Sequence, residues 1–374
     1  MSQTGQHDLR AIASQFQVEG EFLEGASFGN GHINDTYLAS YLTTSGPLQY
    51  IHQRINHAVF KEPEKVMENI ERVTRYGRER LLAAGSDPNR RVLSLVPARD
   101  GRSYYRDEGG NTWRTYHYIA GTCMFEDEPS LRVIYSAARA FGDFQMLLSG
   151  LPGARLHETI PDFHHTHKRF QAFQLALQAD LLNRAAGVQE EIQFILKREA
   201  DTVLVIDMLA QGRLPERVTH NDTKINNVLI DEITGEGLCV IDLDTVMPGS
   251  ALYDFGDMVR AGAASAAEDE PNTARAGINM DAFIQLARGY SDAVRDLLTT
   301  AEWELLAFSG KLITLEQAIR FLGDYLNGDT YYKIHRPNQN LDRARTQIKM
   351  VAEMEQKMGL MEAIVARCKQ GRQN

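Results

Sequence analysis

The residues of this chain best suited to chemistry lie at the ends of two apolar segments. The first segment, residues 218–230, carries His220, Asp222 and Asn227, and the second, residues 238–244, ends its apolar run at Asp242. A carboxylate such as Asp222 can orient an acceptor hydroxyl and take its proton. The amide oxygen of Asn227 and the carboxylate of Asp242 suit Mg²⁺ bound to the phosphates of ATP. The pattern therefore predicts phosphoryl transfer, with His220 bracing the loop by hydrogen bonds rather than reacting.

The segment has an alternative interpretation, and a second motif competes with Asp242 as the metal site. The alternative is an ordinary strand and turn, in which the polar residues satisfy the turn amides. The competing motif is Asp254-Phe-Gly256, which has the sequence of the metal-binding tripeptide of protein kinases. Because Asp242 directly ends an apolar strand pattern, we assign the metal to Asp242, with Asp244 as a further candidate ligand. Asp254 and Asp257 are interpreted as helix-capping or structural groups.

A glycine turn near the N-terminus is a candidate phosphate site. Gly29 and Gly31 lie between two strand patterns, where backbone amides can approach an anion. Asn-Gly is also common in ordinary hairpins, so the turn alone leaves both interpretations open. The next strand has no lysine to pair with a phosphate, and Arg54 or Gln53 is the candidate to replace it.

The rest of the chain divides into a strand-rich part and a helical part. Residue spacing predicts strands around the glycine turn and at 48–56, 92–97, 102–106 and 112–119, with a helix at 63–84. Helical spacing covers 130–148, 167–186, 188–211, 281–298, 301–326 and 341–368, interrupted by two strands within 218–244. We therefore predict a bilobal α+β fold, with a β-rich nucleotide lobe at residues 1–120 and a helical catalytic and substrate lobe at 121–374.

Length and composition exclude several other classes of protein. A chain of 374 residues, 43% hydrophobic and 24% charged, is typical of a globular protein larger than one ordinary domain. Its net charge of −10 argues against a nucleic-acid partner, and no apolar run is long enough to span a membrane. The three cysteines are scattered, and the N-terminus lacks the layout of a signal peptide. We expect a cytoplasmic protein, and no feature of the sequence indicates its oligomeric state.

Two further clusters have competing interpretations. His157, His164, His165 and His167 suggest zinc, but cysteine and carboxylate ligands at metal-site spacing are lacking, so we interpret the cluster as solvated or structural. Arg320 and the tyrosines that follow it suit sugar hydroxyls, through hydrogen bonds and ring stacking. The same rings are equally consistent with the packing of a helix end.

Together these motifs resemble the aminoglycoside phosphotransferase and choline kinase superfamily, which has the protein-kinase fold. The family pattern His-x-Asp-x(4)-Asn matches His220, Asp222 and Asn227, and its metal-binding strand end matches Ile241-Asp242. Within the superfamily the chain is similar to the bacterial N-acetylhexosamine 1-kinases over most of its length. The segments that carry this similarity are 29–37, 53–60, 219–224, 241–249, 254–257, 320–325 and 345–349.

The resemblance implies ATP- and Mg²⁺-dependent phosphorylation of the anomeric hydroxyl of GlcNAc or GalNAc, giving the α-1-phosphate. It implies that Tyr116, Tyr118 and Ile119 line the adenine through backbone atoms. The implied sugar contacts are Asp222, His32, Asn34, Arg320 and Tyr331. Ala261 departs from the family pattern, because an aromatic residue is expected there as part of a sugar-facing wall.

Two other functions stay open at this point. A kinase of the same fold acting on an amino alcohol or an antibiotic would favour an acidic substrate groove. The run Glu268-Asp-Glu270 is the candidate for such a groove, although we interpret it as a solvated loop. The other function is nucleotide binding without catalysis, and the intact Asp222, Asn227 and Asp242 argue against it.

Overall fold

The chain divides into two compact units, each assembled from separate stretches of sequence. The computed structural model describes residues 7–29, 33–125 and 129–371. The first unit comprises Met1–Thr122, Leu151–Ile160 and Cys239–Val246, and the second comprises Cys123–Gly150, Pro161–Leu238 and Met247–Asn374.

The first unit consists of a sheet and two helices: α1 (Leu9–Ala13), β1 (Glu21–Ser27), β2 (Asp35–Thr43), β3 (Gly46–Arg54), α2 (Pro63–Ala83), β4 (Tyr105–Arg106) and β5 (Thr112–His117). The five strands form one antiparallel sheet in the order β1-β2-β3-β5-β4. Tyr41, Tyr50 and Trp113 project from this sheet into a core that also contains Phe16. α2 begins with Pro63, whose missing N–H is harmless in a first turn.

The second unit is mainly helical. Its helices are α3 (Leu131–Leu148), α4 (Thr166–Ala179), α5 (Gln189–Leu196), α6 (Glu199–Ala210), α7 (Ala251–Gly262), α8 (Met280–Val294), α9 (Thr300–Leu326) and α10 (Gln339–Gln370). Five short strands interrupt them: β6 (Thr122–Cys123), β7 (Arg217–Thr219), β8 (Val228–Asp231), β9 (Gly237–Val240) and β10 (Met247–Gly249). The boundaries between the two units fall within β6 and β9, and β7 pairs antiparallel with β10.

Apolar side chains on α4, α9 and α10 form one core of the second unit. Phe170 and Phe173 pack there with Leu322 and Val351, all of them buried. α9 starts with a capping box, in which the Thr299 hydroxyl accepts from the Glu302 amide while the Glu302 carboxylate accepts from the Thr299 amide. Within the described parts of the chain, no helix combines the length and apolarity needed to cross a membrane.

The predicted α+β fold is confirmed, with strands concentrated in the N-terminal part and helices in the C-terminal part. Two predicted elements were wrong. Residues 92–97 make only an isolated bridge between Leu95 and Tyr116, because the next amide that could extend the ladder, that of Ala98, donates to the Arg102 carbonyl at 2.8 Å instead. The helix predicted at 188–211 is broken into α5 and α6. There the Arg198 guanidinium donates to the Phe194 carbonyl at 2.6 Å, and the Arg198 N–H bonds to Ile195 instead.

Candidate active site

The loop between β7 and β8 carries the predicted base, and its backbone is tightly constrained. Asn221 lies in the left-handed region at φ +65°, which non-glycine residues seldom adopt. Its side-chain oxygen accepts from the Thr219 hydroxyl at 3.0 Å, and its amide donates back to the Thr219 carbonyl at 3.2 Å. These two hydrogen bonds between Asn221 and Thr219, which we call the clasp, turn the chain sharply just before Asp222. We call residues 220–227 the catalytic loop.

Asp222 and Asn227 lie together in this loop. The Asn227 side-chain amide donates to the Asp222 carbonyl at 2.8 Å, and Lys224 Nζ lies 3.0 Å from Asp222 Oδ1. The Asp222 side chain is 22% exposed, so a ligand can reach its carboxylate. Lys224 was not predicted as a partner of this carboxylate. Its position two residues after Asp222 could have indicated the ion pair.

The charge of Asp222 is set by its neighbours. Burial raises the pKa of the carboxyl, but the Lys224 ammonium, His220 and the Arg260 guanidinium outweigh it and bring the pKa below its ordinary value. The carboxylate is therefore ionised at neutral pH, as a general base must be.

Asp254, part of the kinase-like tripeptide, supports the catalytic loop from α7. Its buried carboxylate accepts the N–H of His220 at 3.1 Å and the N–H of Asn221 at 2.7 Å. The Thr223 hydroxyl donates to its carbonyl at 2.6 Å. The cap of α7 is Ser250, so Asp254 is structural rather than capping. Burial raises its pKa to about 6.

The other two predicted metal ligands lie in the first unit. Asp242 has a left-handed backbone, with φ 59° and ψ 55°. Asp244 is 2% exposed and forms a bidentate ion pair with Arg114, which is 1% exposed. The Asp244 carboxylate also accepts from Asn34. Arg114 was not predicted as a site residue, although a charged residue inside the otherwise uncharged strand β5 pointed to a buried partner.

The predicted phosphate residues of the first unit are placed in part. Gly29 has a φ of +73°, in keeping with a turn that glycine favours. Gly31 and the predicted sugar contact His32 lie outside the described residues. Arg54 forms an ion pair with Asp35 at 2.5 Å, and Gln53 accepts from Arg114 at 3.0 Å. Both candidate replacements for the strand lysine therefore already have protein partners.

The predicted adenine segment and Asn34 also lie in the first unit. The Tyr116 ring is buried, and its hydroxyl has no hydrogen-bond partner in the described structure. The Tyr118 amide donates to the Gln49 carbonyl at 3.2 Å, and the Ile119 carbonyl accepts from Thr122 at 2.8 Å. Asn34 accepts from the Asn56 amide at 3.0 Å, so its side chain is fixed at both ends.

The predicted sugar contacts Arg320 and Tyr331 lie side by side in the second unit. The Arg320 guanidinium carbon is 5.8 Å from the centre of the Tyr331 ring and 5.5 Å from that of Tyr332. Tyr331 is 67% exposed, whereas the loop that carries it is fixed by Asp324, whose carboxylate accepts the amides of residues 330–332. A rigid aromatic surface next to a guanidinium is therefore available to a ligand.

Among the residues that the structure describes, no three His, Cys, Asp or Glu side chains converge on a common point as a metal site would require. The histidines of the 157–167 segment have separate partners instead. Glu68 contacts His157, Glu316 contacts His164, the Lys168 amide donates to His165 and Thr202 contacts His167. A metal at the catalytic loop would accordingly need amide or phosphate oxygens among its ligands.

Comparisons with known proteins place the chain in a family. The model of the phosphotransferase enzyme family (APH) matches residues 24–289. An aminoglycoside phosphotransferase from Alicyclobacillus acidocaldarius aligns with a TM-score of 0.59 at 14% identity, over 99% of this chain and 97% of that one. An AMP-bound spectinomycin phosphotransferase gives 0.52 at 11% identity, over 98% of each chain. A choline kinase from Cryptosporidium parvum gives 0.51 at 12% identity, over 97% and 98%.

These likenesses confirm the predicted protein-kinase-like fold. The match of the family model spans more than half of the chain, including β2, β3, the catalytic loop and α7. The chain belongs to the APH phosphotransferase enzyme family.

Proposed function

We propose that the protein transfers a phosphoryl group from ATP to the anomeric hydroxyl of an N-acetylhexosamine, GlcNAc or GalNAc, and releases the sugar 1-phosphate. The observation that carries the proposal is the catalytic loop, where one loop presents an ionised and partly exposed Asp222 beside Lys224 and Asn227. A carboxylate so placed is suited to the deprotonation of an acceptor hydroxyl.

Asp222 is the proposed base, and the residues around it have distinct tasks. It accepts a hydrogen bond from the sugar hydroxyl, aligns it and takes its proton as the new P–O bond forms, while the bond from the γ-phosphorus to the bridging oxygen breaks and ADP leaves. Lys224, 3.0 Å from the carboxylate, keeps Asp222 ionised and adds a positive charge next to the incoming phosphates. The left-handed Asn221 and its clasp fix the direction of the Asp222 side chain.

The nucleotide is assigned to the first unit. Gly29 and Gly31 would approach the phosphates, Arg54 would pair with them, and Tyr116, Tyr118 and Ile119 would line the adenine. The AMP complex of the spectinomycin phosphotransferase supports a nucleotide in this fold. Because Asp35 already pairs with Arg54, a contact between Arg54 and a phosphate would have to share that guanidinium.

Mg²⁺ fits the donors that two of the predicted ligands offer. The Asn227 amide nitrogen is held by the Asp222 carbonyl, which leaves the side-chain oxygen for a hard cation. We assign Asn227 of the second unit as a protein ligand, and Asp242 of the first unit stays a prediction from the sequence motif. Asp244 is less suited, because both of its oxygens bond to Arg114. The bound ion would neutralise charge on the phosphates.

The charges of the second unit favour an uncharged acceptor. Each carboxylate of the 268–270 run pairs with an arginine: Glu268 with Arg260 at 3.0 Å, Asp269 with Arg336 at 3.5 Å and Glu270 with Arg275 at 3.2 Å. A site for a cationic amino alcohol or aminoglycoside would need free carboxylates. Arg320 and Tyr331 offer instead a guanidinium and an exposed ring, which suit the hydroxyls and the face of a sugar.

Two of the similar structures suggest an alternative acceptor that carries an amine. The choline kinase and the aminoglycoside phosphotransferase have this fold, so an amino alcohol or an aminoglycoside is the second candidate. Incubation with Mg-ATP and separate GlcNAc, GalNAc, glucose, galactose, choline and kanamycin, followed by ³¹P NMR, distinguishes the two. An anomeric phosphate on the N-acetyl sugars supports the proposal, and product only on an amine-bearing acceptor refutes it.

The base assignment has its own test. Asp222→Asn should lower kcat by about 10²- to 10⁴-fold, the usual contribution of a general base, while ATP affinity stays within about twofold. Turnover and equilibrium nucleotide binding are both measured. Asp201→Asn, an acidic residue of α6 that pairs with Lys311, is the matched control and should be active. Unchanged turnover in Asp222→Asn would refute the assignment.

A further inference from the structure

A buried histidine reaches the catalytic loop from a distant part of the second unit. His164, just before α4, is 8% exposed, and its Nε2 lies 2.8 Å from the Asn221 carbonyl oxygen. Its other ring nitrogen, Nδ1, lies 2.9 Å from Glu316 Oε1 on α9. His164 thus connects a fixed carboxylate to the peptide that immediately precedes Asp222.

Both partners of the ring are acceptors. A backbone carbonyl has no proton to give, and neither does the Glu316 carboxylate, so each ring nitrogen must carry a hydrogen. Burial alone would lower the pKa of His164, but the Glu316 carboxylate raises it above the ordinary value. Glu316 is 1% exposed and is held in turn by the Thr166 hydroxyl at 2.6 Å. The ring is a fixed imidazolium that donates in two directions.

The two peptide groups that flank Asn221 are therefore each held by a buried side chain. Asp254 accepts the Asn221 N–H at 2.7 Å, and His164 donates to the Asn221 carbonyl. Asn221 is strained at φ +65°, a conformation that persists only where the surroundings impose it. Without the carbonyl contact, the Asn221–Asp222 peptide relies on the longer bond from the Asp222 N–H to His220 Nδ1 at 3.3 Å, which leaves the direction of the carboxylate less well fixed.

We propose that His164, fixed by Glu316, is a positioning residue that aims the Asp222 carboxylate at the acceptor hydroxyl. It touches neither ATP nor the acceptor and acts through the Asn221 carbonyl. The inference rests on the proposed function only in taking Asp222 as the base. His164, in the loop before α4, and Glu316, on α9, would thus both contribute to phosphoryl transfer without contacting the substrates.

Two substitutions separate the two hydrogen bonds of the ring. The amide nitrogen of glutamine occupies nearly the position of Nε2 and that of asparagine nearly the position of Nδ1. His164→Gln therefore keeps a donor for the Asn221 carbonyl, whereas His164→Asn keeps one only for Glu316. Misplacement of a catalytic group by about 1 Å costs about 10²-fold. We expect His164→Asn to lose about 10- to 100-fold in kcat, with both KM values within about twofold, and His164→Gln to retain a third or more.

The measurement uses the full chain with Mg-ATP and the acceptor found by ³¹P NMR, or Mg-ATP hydrolysis where water is the acceptor. Assays run below the melting temperature of every variant. His167→Asn, which changes a neighbouring histidine bonded to Thr202, is the control and should leave kcat unchanged. Glu316→Gln is a second test: a neutral His164 can still donate from Nε2 to the Asn221 carbonyl while Nδ1 accepts from the glutamine amide, so this variant should, like His164→Gln, retain a third or more of kcat.

The outcomes separate this inference from the proposed base. Equal kcat for His164→Asn and the unchanged protein, or equal losses for His164→Asn and His164→Gln, would overturn the positioning role. If Asp222→Asn is inactive in the same assay, the base assignment survives that failure. Full activity of Asp222→Asn would instead overturn Asp222 as the base, and product only on an amine-bearing acceptor would overturn the proposed function.

Discussion

Acidification should destabilise the first unit through one buried histidine. His52 on β3 is fully buried, with Nε2 at 2.8 Å from the Tyr41 hydroxyl and Nδ1 at 2.8 Å from the Thr115 hydroxyl. Neither hydroxyl carries a charge that would compensate an imidazolium. Burial therefore lowers the pKa of His52 from 6.5 to about 4.

The size of the effect follows from this pKa. Between pH 6.5 and pH 4 the unfolded chain binds a proton at His52 that the folded chain does not bind, so the free energy of unfolding falls as the pH falls. At 1.36 kcal/mol per pKa unit, the His52 contribution amounts to a loss of about 2 kcal/mol between pH 7 and pH 5, and about 3 kcal/mol at pH 4. Above pH 7 the ring is neutral in both states, and its contribution is flat.

Urea unfolding at pH 7, 6 and 5, followed by the fluorescence of Trp113, measures this loss. Trp113 is buried in the core of the first unit, and the other tryptophan of the chain, Trp303, is removed by Trp303→Phe so that one unit is observed. His52→Gln is the comparison, since glutamine keeps a polar group at the Nε2 position for the Tyr41 hydroxyl and cannot be charged.

The unfolding free energy of the histidine protein relative to His52→Gln should fall by about 2 kcal/mol from pH 7 to pH 5. Other titrating groups are common to both proteins and cancel in this difference. A difference that stays constant with pH would refute the reasoning, because it would mean that His52 binds its proton equally well in the folded state.

Two further perturbations test the supports of the site. Arg114→Met leaves Asp244 without its ion-pair partner in a buried position and should lower the free energy of unfolding by about 3–5 kcal/mol in the same urea assay. The double variant Arg114→Met with Asp244→Leu should recover most of that loss. Additive losses from the two substitutions would contradict a coupled pair. Gly249→Ala places a methyl against Thr219 and 2.8 Å from Asn221 Oδ1, so it should disturb the clasp and lower kcat at least about tenfold. Gly187→Ala, which meets nothing within 4 Å, is its control, and equal activity of the two variants would exclude the clash.

The sequence was sufficient for the parts of the site that are local. Asp222 and Asn227 belong to one short loop, so their spacing places them together before any tertiary contact is known. The fold class followed from the change from strand spacing to helical spacing. The catalytic roles of these residues are proposals that the experiments above test.

The supports of the loop could not be inferred in the same way. In the sequence, His164 is separated by 57 residues from Asn221 and by 152 residues from Glu316. His164 also stood among histidines that suggested zinc, and spacing alone does not say which of them faces a carboxylate. Asp254 was recognisable as structural, but its acceptance of two loop amides depends on how α7 packs against the loop. Contacts of this kind are set by tertiary packing, which no local pattern encodes.

The buried charged residues around the catalytic loop are better explained by the orientation of the loop than by the stability of the fold. Apolar side chains of similar volume often stabilise a core as well as a buried ion pair does, because they avoid the cost of desolvation. Yet the loop is held by the His164–Glu316 pair and by Asp254, all deeply buried. Only hydrogen-bonding groups can fix the two peptide groups that flank Asn221, one by the Asn221 N–H and the other by the Asn221 carbonyl. These bonds give a defined direction to the side chain of the next residue, Asp222, which apolar packing alone would not supply.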